Sequence, residues 1–76
     1  MKSLDQLRPG QRGRIEQLLG ADTLTQRLME MGLLEGDEVE VLAQAPLGDP
    51  VEIRLGDSRL SLRRREAARI VITPLP

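Results

Sequence analysis

The sequence has no cysteine, no histidine and no aromatic residue. Without cysteine the chain can form no disulfide, no thiolate metal site and no redox pair. Without cysteine and histidine it also lacks two side chains that commonly serve as nucleophile and base, and its serines, Ser3, Ser58 and Ser61, have no activating base among their expected neighbours. We therefore expect a protein that is not an enzyme.

The lack of aromatic side chains also argues against two binding functions. Proline-rich peptides dock in aromatic-lined grooves, and RNA-binding barrels commonly stack bases on aromatic rings. The charge is nearly balanced, with 11 basic and 12 acidic residues. A balanced surface attracts neither nucleic acid nor an anionic membrane strongly. We therefore expect no nucleic-acid partner.

Long apolar runs are missing as well. Residues 1–10 contain one lysine and no apolar segment of the kind found in signal peptides, and no stretch approaches the ~20 apolar residues of a membrane span. Small secreted domains usually need disulfides, which this chain cannot form. These features predict a cytoplasmic protein that does not insert directly into a membrane.

What the chain has is a large aliphatic inventory, including 14 Leu, four Ile and four Val, in 76 residues. That length has room for one domain, which we place over residues 1–76. Apolar and polar residues alternate as in short strands, and Gly56-Asp57 indicates a two-residue hairpin. We expect Pro74 to end the last strand. The predicted strands are residues 13–19, 37–45, 51–55, 58–63 and 69–73.

One helix is predicted between the first two of these strands. Asp22 or Thr23 caps it, and Leu24, Leu28 and Met31 form one apolar stripe. Gly32, followed by Leu33, is typical of a Schellman stop, so the helix should be about ten residues long. The "RREAA" segment predicts one further helical turn before the last strand.

Two glycine turns lead into strands. Pro9-Gly10 and Glu35-Gly36 both fit the central pair of a type II turn, which needs a positive φ at its second member. Five strands in so small a chain can cover their apolar faces by curling into a barrel. The predicted fold is mostly β: a small SH3-like barrel of about five strands, with one inserted α-helix and a short helical turn before the last strand.

Three segments of the chain resemble the FeoA-like domain family: "LRPGQRGRI", "TQRLMEMGLLEGDEVEVLAQAPLGDPVEIRL" and "LSLRRREAARIVI". The similarity runs from Leu4 to Ile72, and "APLGDP" after a valine strand is its most specific part. Glu35 departs from the pattern, since the family usually has proline there. A type II turn tolerates this change, so the expected fold is unaffected.

The resemblance implies a small cytosolic component of bacterial ferrous iron transport, which binds and regulates FeoB, a membrane transporter with a cytosolic G-protein domain. The implied partner is the cytosolic region of that transporter. Two alternatives stay open: the C-terminal SH3-like regulatory domain of a metal-dependent transcriptional repressor, and a weak transition-metal-binding protein. Because the domain begins directly after Met1 with no helix-turn-helix before it, we expect a stand-alone protein.

Because the resemblance implies ferrous iron transport, a metal-binding site has to be considered. Tight ferrous sites use nitrogen or sulfur ligands, whereas this chain offers carboxylate oxygens spread over strands and turns. The carboxylates in question are Glu35, Asp37, Glu38, Glu40, Asp49 and Asp57. We expect ordinary surface acids, no bound cofactor and no dedicated metal site, with at most weak or transient binding of Fe²⁺.

The remaining candidate site is an apolar surface after the helix. Met29, Leu33 and Leu34 cannot all share the helix stripe, and Leu47 lies among turn residues. Met29, Leu34 and Leu47, rimmed by Arg27, form our predicted partner-binding patch. The alternative is that Leu33 and Leu34 simply cover the end of the barrel.

A second charged feature is the arginine run at residues 63–65. Strand alternation should scatter these guanidinium groups over two solvated faces. A docking patch for an acidic protein surface is the alternative.

Overall fold

The structure is a computed structural model that describes residues 2–76. The described residues form one antiparallel sheet in the order β1-β6-β2-β3-β4-β5, together with two helices and two 3₁₀ turns. The strands are β1 (Lys2–Ser3), β2 (Arg12–Leu18), β3 (Glu38–Gln44), β4 (Val51–Leu55), β5 (Ser58–Leu62) and β6 (Ile70–Leu75). The helices are α1 (Thr23–Glu30) and α2 (Arg64–Ala67), and the 3₁₀ turns are Leu4–Gln6 and Pro46–Gly48.

The sheet differs from the prediction at β1 and β6. It has six strands instead of about five, because Lys2–Ser3 pairs with Ile72 and Val71 of β6. Pro74 does not end β6, which continues to Leu75 and pairs Pro74 with Gly13 of β2. Since β1 covers only two residues of β6, the missing N–H of Pro74 falls where β6 is paired on one side alone, and the ladder tolerates it there.

Helix α1 begins and ends as its sequence signals predict. The carboxylate of Asp22 accepts a hydrogen bond from the N–H of Thr25 at 3.2 Å, so Asp22 is the N-cap. At the other end Gly32 has a φ of 98°, and its N–H donates to Met29 O at 2.9 Å. These contacts belong to the predicted Schellman motif. The helix has eight residues instead of about ten.

The buried face of α1 is only partly the predicted stripe. Leu28 is buried and Met31 packs against the core, but Leu24 is half-buried and Thr25 is buried in its stead. The hydroxyl of Thr25 donates to Leu19 O at 2.7 Å. A hydroxyl with a hydrogen-bond partner can be buried at little cost. Thr25 can therefore be buried where the predicted stripe placed Leu24.

The two glycine turns are equivalent corners of the sheet. Gly10 and Gly36 both have a φ of 92°, and in each turn the following residue donates its N–H to the carbonyl three residues back, at 3.0 and 3.1 Å. Gly10 also donates to Val41 O and Gly36 to Ile15 O, both at 2.8 Å. Each corner is therefore a type II turn whose glycine starts the pairing of β2 with β3.

The core lies inside the curled sheet and is entirely aliphatic. Its buried residues are Leu4, Leu7, Ile15, Leu28, Leu33, Val39, Val41, Val51, Ile53, Leu62, Ala67, Ile70 and Ile72. The strand order ends at β1 and β5, and the first 3₁₀ turn and α2, which follow these two strands, contact each other. Helical turns thus complete the barrel between its edge strands. The resulting body measures 28 × 25 × 24 Å.

Candidate functional site

Met29 and Leu34 lie together on the surface at the end of α1. Met29 is 47% exposed and Leu34 is 52% exposed, and both line a cleft of about 320 Å³. The lining is completed by Leu18, Gly20, Thr25 and Glu35. We call this surface the Met29–Leu34 cleft. Large apolar side chains gathered in a surface cleft are typical of a site where another molecule docks.

Leu33 and Leu34 point to opposite environments. Leu33 is fully buried with Leu28 in the core, whereas Leu34 begins the type II turn and donates its N–H to Asp37 Oδ2 at 3.2 Å. The alternative that both leucines cover the barrel is therefore right for Leu33 and wrong for Leu34.

Leu47 is 93% exposed and does not line the Met29–Leu34 cleft. It lies in the second 3₁₀ turn with a φ of 72°, the left-handed region. A non-glycine residue in that region costs about 1–2 kcal/mol, and an exposed leucine gives no burial energy to offset it. The contacts within residues 2–76 therefore give no folding reason for a leucine at this position.

Arg27 does not rim the Met29–Leu34 cleft. Its side chain lines a second cleft on the side of α1 that faces α2, where its Nη1 lies 3.9 Å from Glu66 Oε2. Successive helical residues are about 100° apart around the axis, so Arg27 and Met29 leave α1 in nearly opposite directions. The four residues predicted as one patch thus divide among three places, and only Met29 and Leu34 share a cleft.

The second cleft has a volume of about 400 Å³ and is a site that sequence reasoning missed. Its lining residues are Arg27, Pro50, Ser61, Arg63, Arg65 and Glu66. The arginine run is exposed and divided between two places as predicted, since Arg63 and Arg65 line this cleft and Arg64 lies 4.0 Å from Asp5. Strand alternation is not the cause, because β5 ends at Leu62 and α2 begins at Arg64. We call this surface the arginine cleft. The "RREAA" helical turn was the signal that could have revealed it.

Glu66 anchors α2 beneath the arginine cleft. Only 3% of the residue is exposed, and its Oε1 accepts a hydrogen bond from the N–H of Arg63 at 2.7 Å. Its Oε2 is buried with no hydrogen-bond partner in the described part of the chain. A buried carboxylate oxygen favours a nearby cation. The cation that faces this oxygen is the Arg27 guanidinium, at 3.9 Å.

Asp22 and Arg69 join the start of α1 to the segment just before β6. Arg69 Nη1 donates to Asp22 Oδ1 at 2.6 Å. This bond, with the N–H of Thr25 as a second donor, lowers the pKa of Asp22 from its ordinary value of 3.8. The pair positions the helix that carries Met29.

Two negative observations concern residues 2–76. No three of their acidic side chains are grouped closely enough to hold a metal ion. Neither helix has the length and the apolar character needed to cross a membrane.

Comparison with known proteins shows which family this chain belongs to. The model of the FeoA domain matches residues 2–74. The chain is 38% identical over 69 residues to the Fe(2+) transport protein A/Fe(2+) transporter FeoB fusion protein of Porphyromonas gingivalis. That match covers 91% of this chain and 8% of the fusion protein, so the chain spans less than a tenth of that relative.

A manganese-dependent transcriptional repressor shares the fold alone, with a TM-score of 0.89 at 19% identity over 97% of this chain and 41% of that one.

Two solved structures are similar over most of their length. The solution structure of a FeoA-like protein from Clostridium acetobutylicum has a TM-score of 0.92 at 28% identity, covering 99% of this chain and 87% of that one. The crystal structure of zinc-complexed FeoA from Stenotrophomonas maltophilia, described as an SH3 domain protein, has a TM-score of 0.83 at 30% identity, covering 96% and 91%. The SH3-like barrel is confirmed, and the chain belongs to the FeoA domain family.

Proposed function

We propose that this protein is a cytoplasmic, non-catalytic component of bacterial ferrous iron transport. In this role it binds the cytosolic region of a FeoB transporter and regulates the G-protein domain there. The observation that carries the proposal is the Porphyromonas gingivalis relative, in which a segment similar to this chain and a FeoB transporter are named as one fused protein.

Fusion has a physical consequence that supports binding. A short flexible linker keeps two joined domains at an effective concentration in the millimolar range, so even a weak contact between them is occupied. When the domain is a separate chain, its surface has to supply the affinity that the linker supplied. The Met29–Leu34 cleft offers apolar area for this purpose, because both side chains are about half exposed in the free protein.

The electrostatics of the cleft suit a neutral apolar partner residue. Glu35 is the charged residue of the lining, and the other lining residues are aliphatic, glycine, threonine or methionine. We infer that an aliphatic or aromatic side chain of the transporter's cytosolic region inserts between Met29 and Leu34. Leu47, exposed elsewhere on the surface, provides a second, separate contact in this proposal.

The direct test is capture of the cytosolic region of the FeoB protein from the same organism by the purified chain. Retention of that region at micromolar concentration supports the proposal. An unrelated SH3-like barrel of similar charge is the control for non-specific capture. Failure of the folded chain to retain the region at any salt concentration overturns it.

The runner-up function is the regulatory barrel of a metal-dependent repressor, which the shared fold favours. A coding segment for a DNA-binding domain directly upstream would decide for it. A weak metal-binding role is the third candidate, and calorimetry without heat from Fe²⁺ at high micromolar concentration would eliminate it.

A further inference from the structure

Most arginines of the chain have an acidic partner, and two of the four exceptions lie in the same cleft. Of the ten arginines in the sequence, six lie within 4.0 Å of a carboxylate oxygen. Within residues 2–76, the four arginines without such a partner are Arg8, Arg14, Arg63 and Arg65. Two of these four line the arginine cleft. Unpaired guanidinium groups brought together in a concave site attract a carboxylate ligand.

The cleft has a net positive charge. Three arginines and one glutamate line it, giving a formal charge of +2. Glu66 offers little competition to an incoming anion, because it is buried and its Oε1 already accepts the N–H of Arg63. Asp49 lines an adjoining cleft with Arg63 and Arg65, but it makes no ion pair with either, and its Oδ1 accepts the N–H of Arg64 at 3.1 Å. The long 3.9 Å separation between Arg27 and Glu66, and the 67% exposure of the Arg27 side chain, leave that guanidinium able to contact a ligand as well.

An unpaired strand edge borders the same cleft. Strand β5 is last in the sheet and pairs with β4 alone, and its Ser61 lines the cleft. Leu55 and Ser58 flank the two-residue hairpin loop and form a hydrogen-bonded pair, so alternate residues of β5 direct their backbone groups towards β4. By that alternation, Arg59 and Ser61 direct their N–H and C=O groups away from the sheet.

We propose that the arginine cleft binds an extended acidic polypeptide segment, which adds to β5 as a further strand and places a carboxylate on Arg63 and Arg65. The edge of β5 supplies backbone hydrogen bonds, and the arginines select the acidic side chain. A free anion would use the guanidinium groups and leave the strand edge unpaired, so the combination of the two features favours a peptide. The site is separate from the Met29–Leu34 cleft and does not depend on the proposed function.

A titration of the ¹⁵N-labelled full chain with a blocked five-residue peptide, Thr-Asp-Val-Glu-Thr, tests the proposal. We expect saturable shifts at the backbone amides of Arg59, Ser61 and Arg63, and slower solvent exchange of the Ser61 amide in the complex. The control peptide carries Asn and Gln in place of the two acids and should bind at least tenfold more weakly. Sodium acetate at the same carboxylate concentration should leave Ser61 exchange unchanged.

Two double variants with the same loss of charge separate a specific site from general attraction. Arg63→Gln with Arg65→Gln should raise the Kd for the acidic peptide at least tenfold, whereas Arg8→Gln with Arg14→Gln should change it less than twofold. Both pairs are exposed, so both variants should keep the wild-type spectrum. Equal losses in the two variants, an unchanged Ser61 exchange rate, or equal binding of the amide peptide would each overturn the proposal.

Discussion

The N–H of Leu33 donates to the carbonyl oxygen of Leu28 at 3.1 Å, and both of these leucines are fully buried. It closes the Schellman motif, fixes Leu33 in the core and starts the next turn at Leu34. The way α1 ends therefore creates the Met29–Leu34 cleft. Changes at the helix stop should alter stability and the cleft together.

Replacing Gly32 with alanine should destabilise the protein through backbone strain. Gly32 has a φ of 98°, and an added Cβ would meet only Leu55 Cδ2 at an ordinary 3.6 Å. The expected loss in the free energy of unfolding is about 1–2 kcal/mol, measured by urea denaturation. Gly32→Asn is the matched control and should lose less, because asparagine tolerates this conformation. Wild-type stability of the alanine variant would contradict the role of Gly32.

Leu47→Asn should stabilise the fold while weakening partner binding. The substitution relieves part of the cost of a φ of 72° and removes an almost fully exposed apolar side chain. We expect an unfolding free energy higher by about 0.5–1 kcal/mol and weaker binding to the transporter's cytosolic region. Unfolding in urea and calorimetric titration check the two effects. A destabilised variant with full binding would remove Leu47 from the functional surface.

The Asp22–Arg69 pair should make stability depend on pH in the acid range. Because the hydrogen bond lowers the native pKa of Asp22 below its ordinary 3.8, its stabilisation is complete above that value and is lost as the pH falls through the native pKa. Asp22→Asn keeps an N-cap acceptor but removes the charge. The urea midpoint of the wild type should exceed that of the variant at pH 6, and the two should converge below pH 3.8.

Asp57→Asn is the control for this pH series. Asp57 is exposed in the β4–β5 turn and makes no side-chain hydrogen bond or ion pair with the residues described. Because it has no such contact to lose, its substitution should leave the urea midpoint at pH 6 unchanged. A gap between wild type and D22N that stays constant from pH 6 to pH 2.5 would rule out the proposed linkage.

The sequence predicts the parts of this fold whose causes are local. The type II turns depend on Gly10 and Gly36, the hairpin on Gly56, and the helix stop on Gly32, and each of these glycines has the positive φ that its turn requires. Strand alternation likewise predicts the burial of Val39 and Val41 in β3.

What the sequence does not predict depends on contacts between distant segments. Lys2–Ser3 is a strand only because it reaches β6, and Thr25 is buried because it meets Leu19 O. The arginine cleft forms between α1, the start of α2 and the end of β5, so the "RREAA" turn is a signal for only one side of it. The sequence pattern predicted that Met29 and Leu34 are exposed, because they do not fit the apolar stripe of α1. It did not predict that Arg27 and Leu47 lie at other places on the surface.

The most direct test of the account compares variants of the Met29–Leu34 cleft in calorimetric titration with the cytosolic region of FeoB. Leu34→Glu and Met29→Glu place a charge where an apolar side chain should insert, and Leu19→Glu, at another exposed leucine outside the cleft lining, is the matched control. We expect at least a tenfold rise in Kd for each cleft variant and less than a twofold change for the control. Wild-type affinity in both cleft variants, with their folded spectra intact, would contradict it.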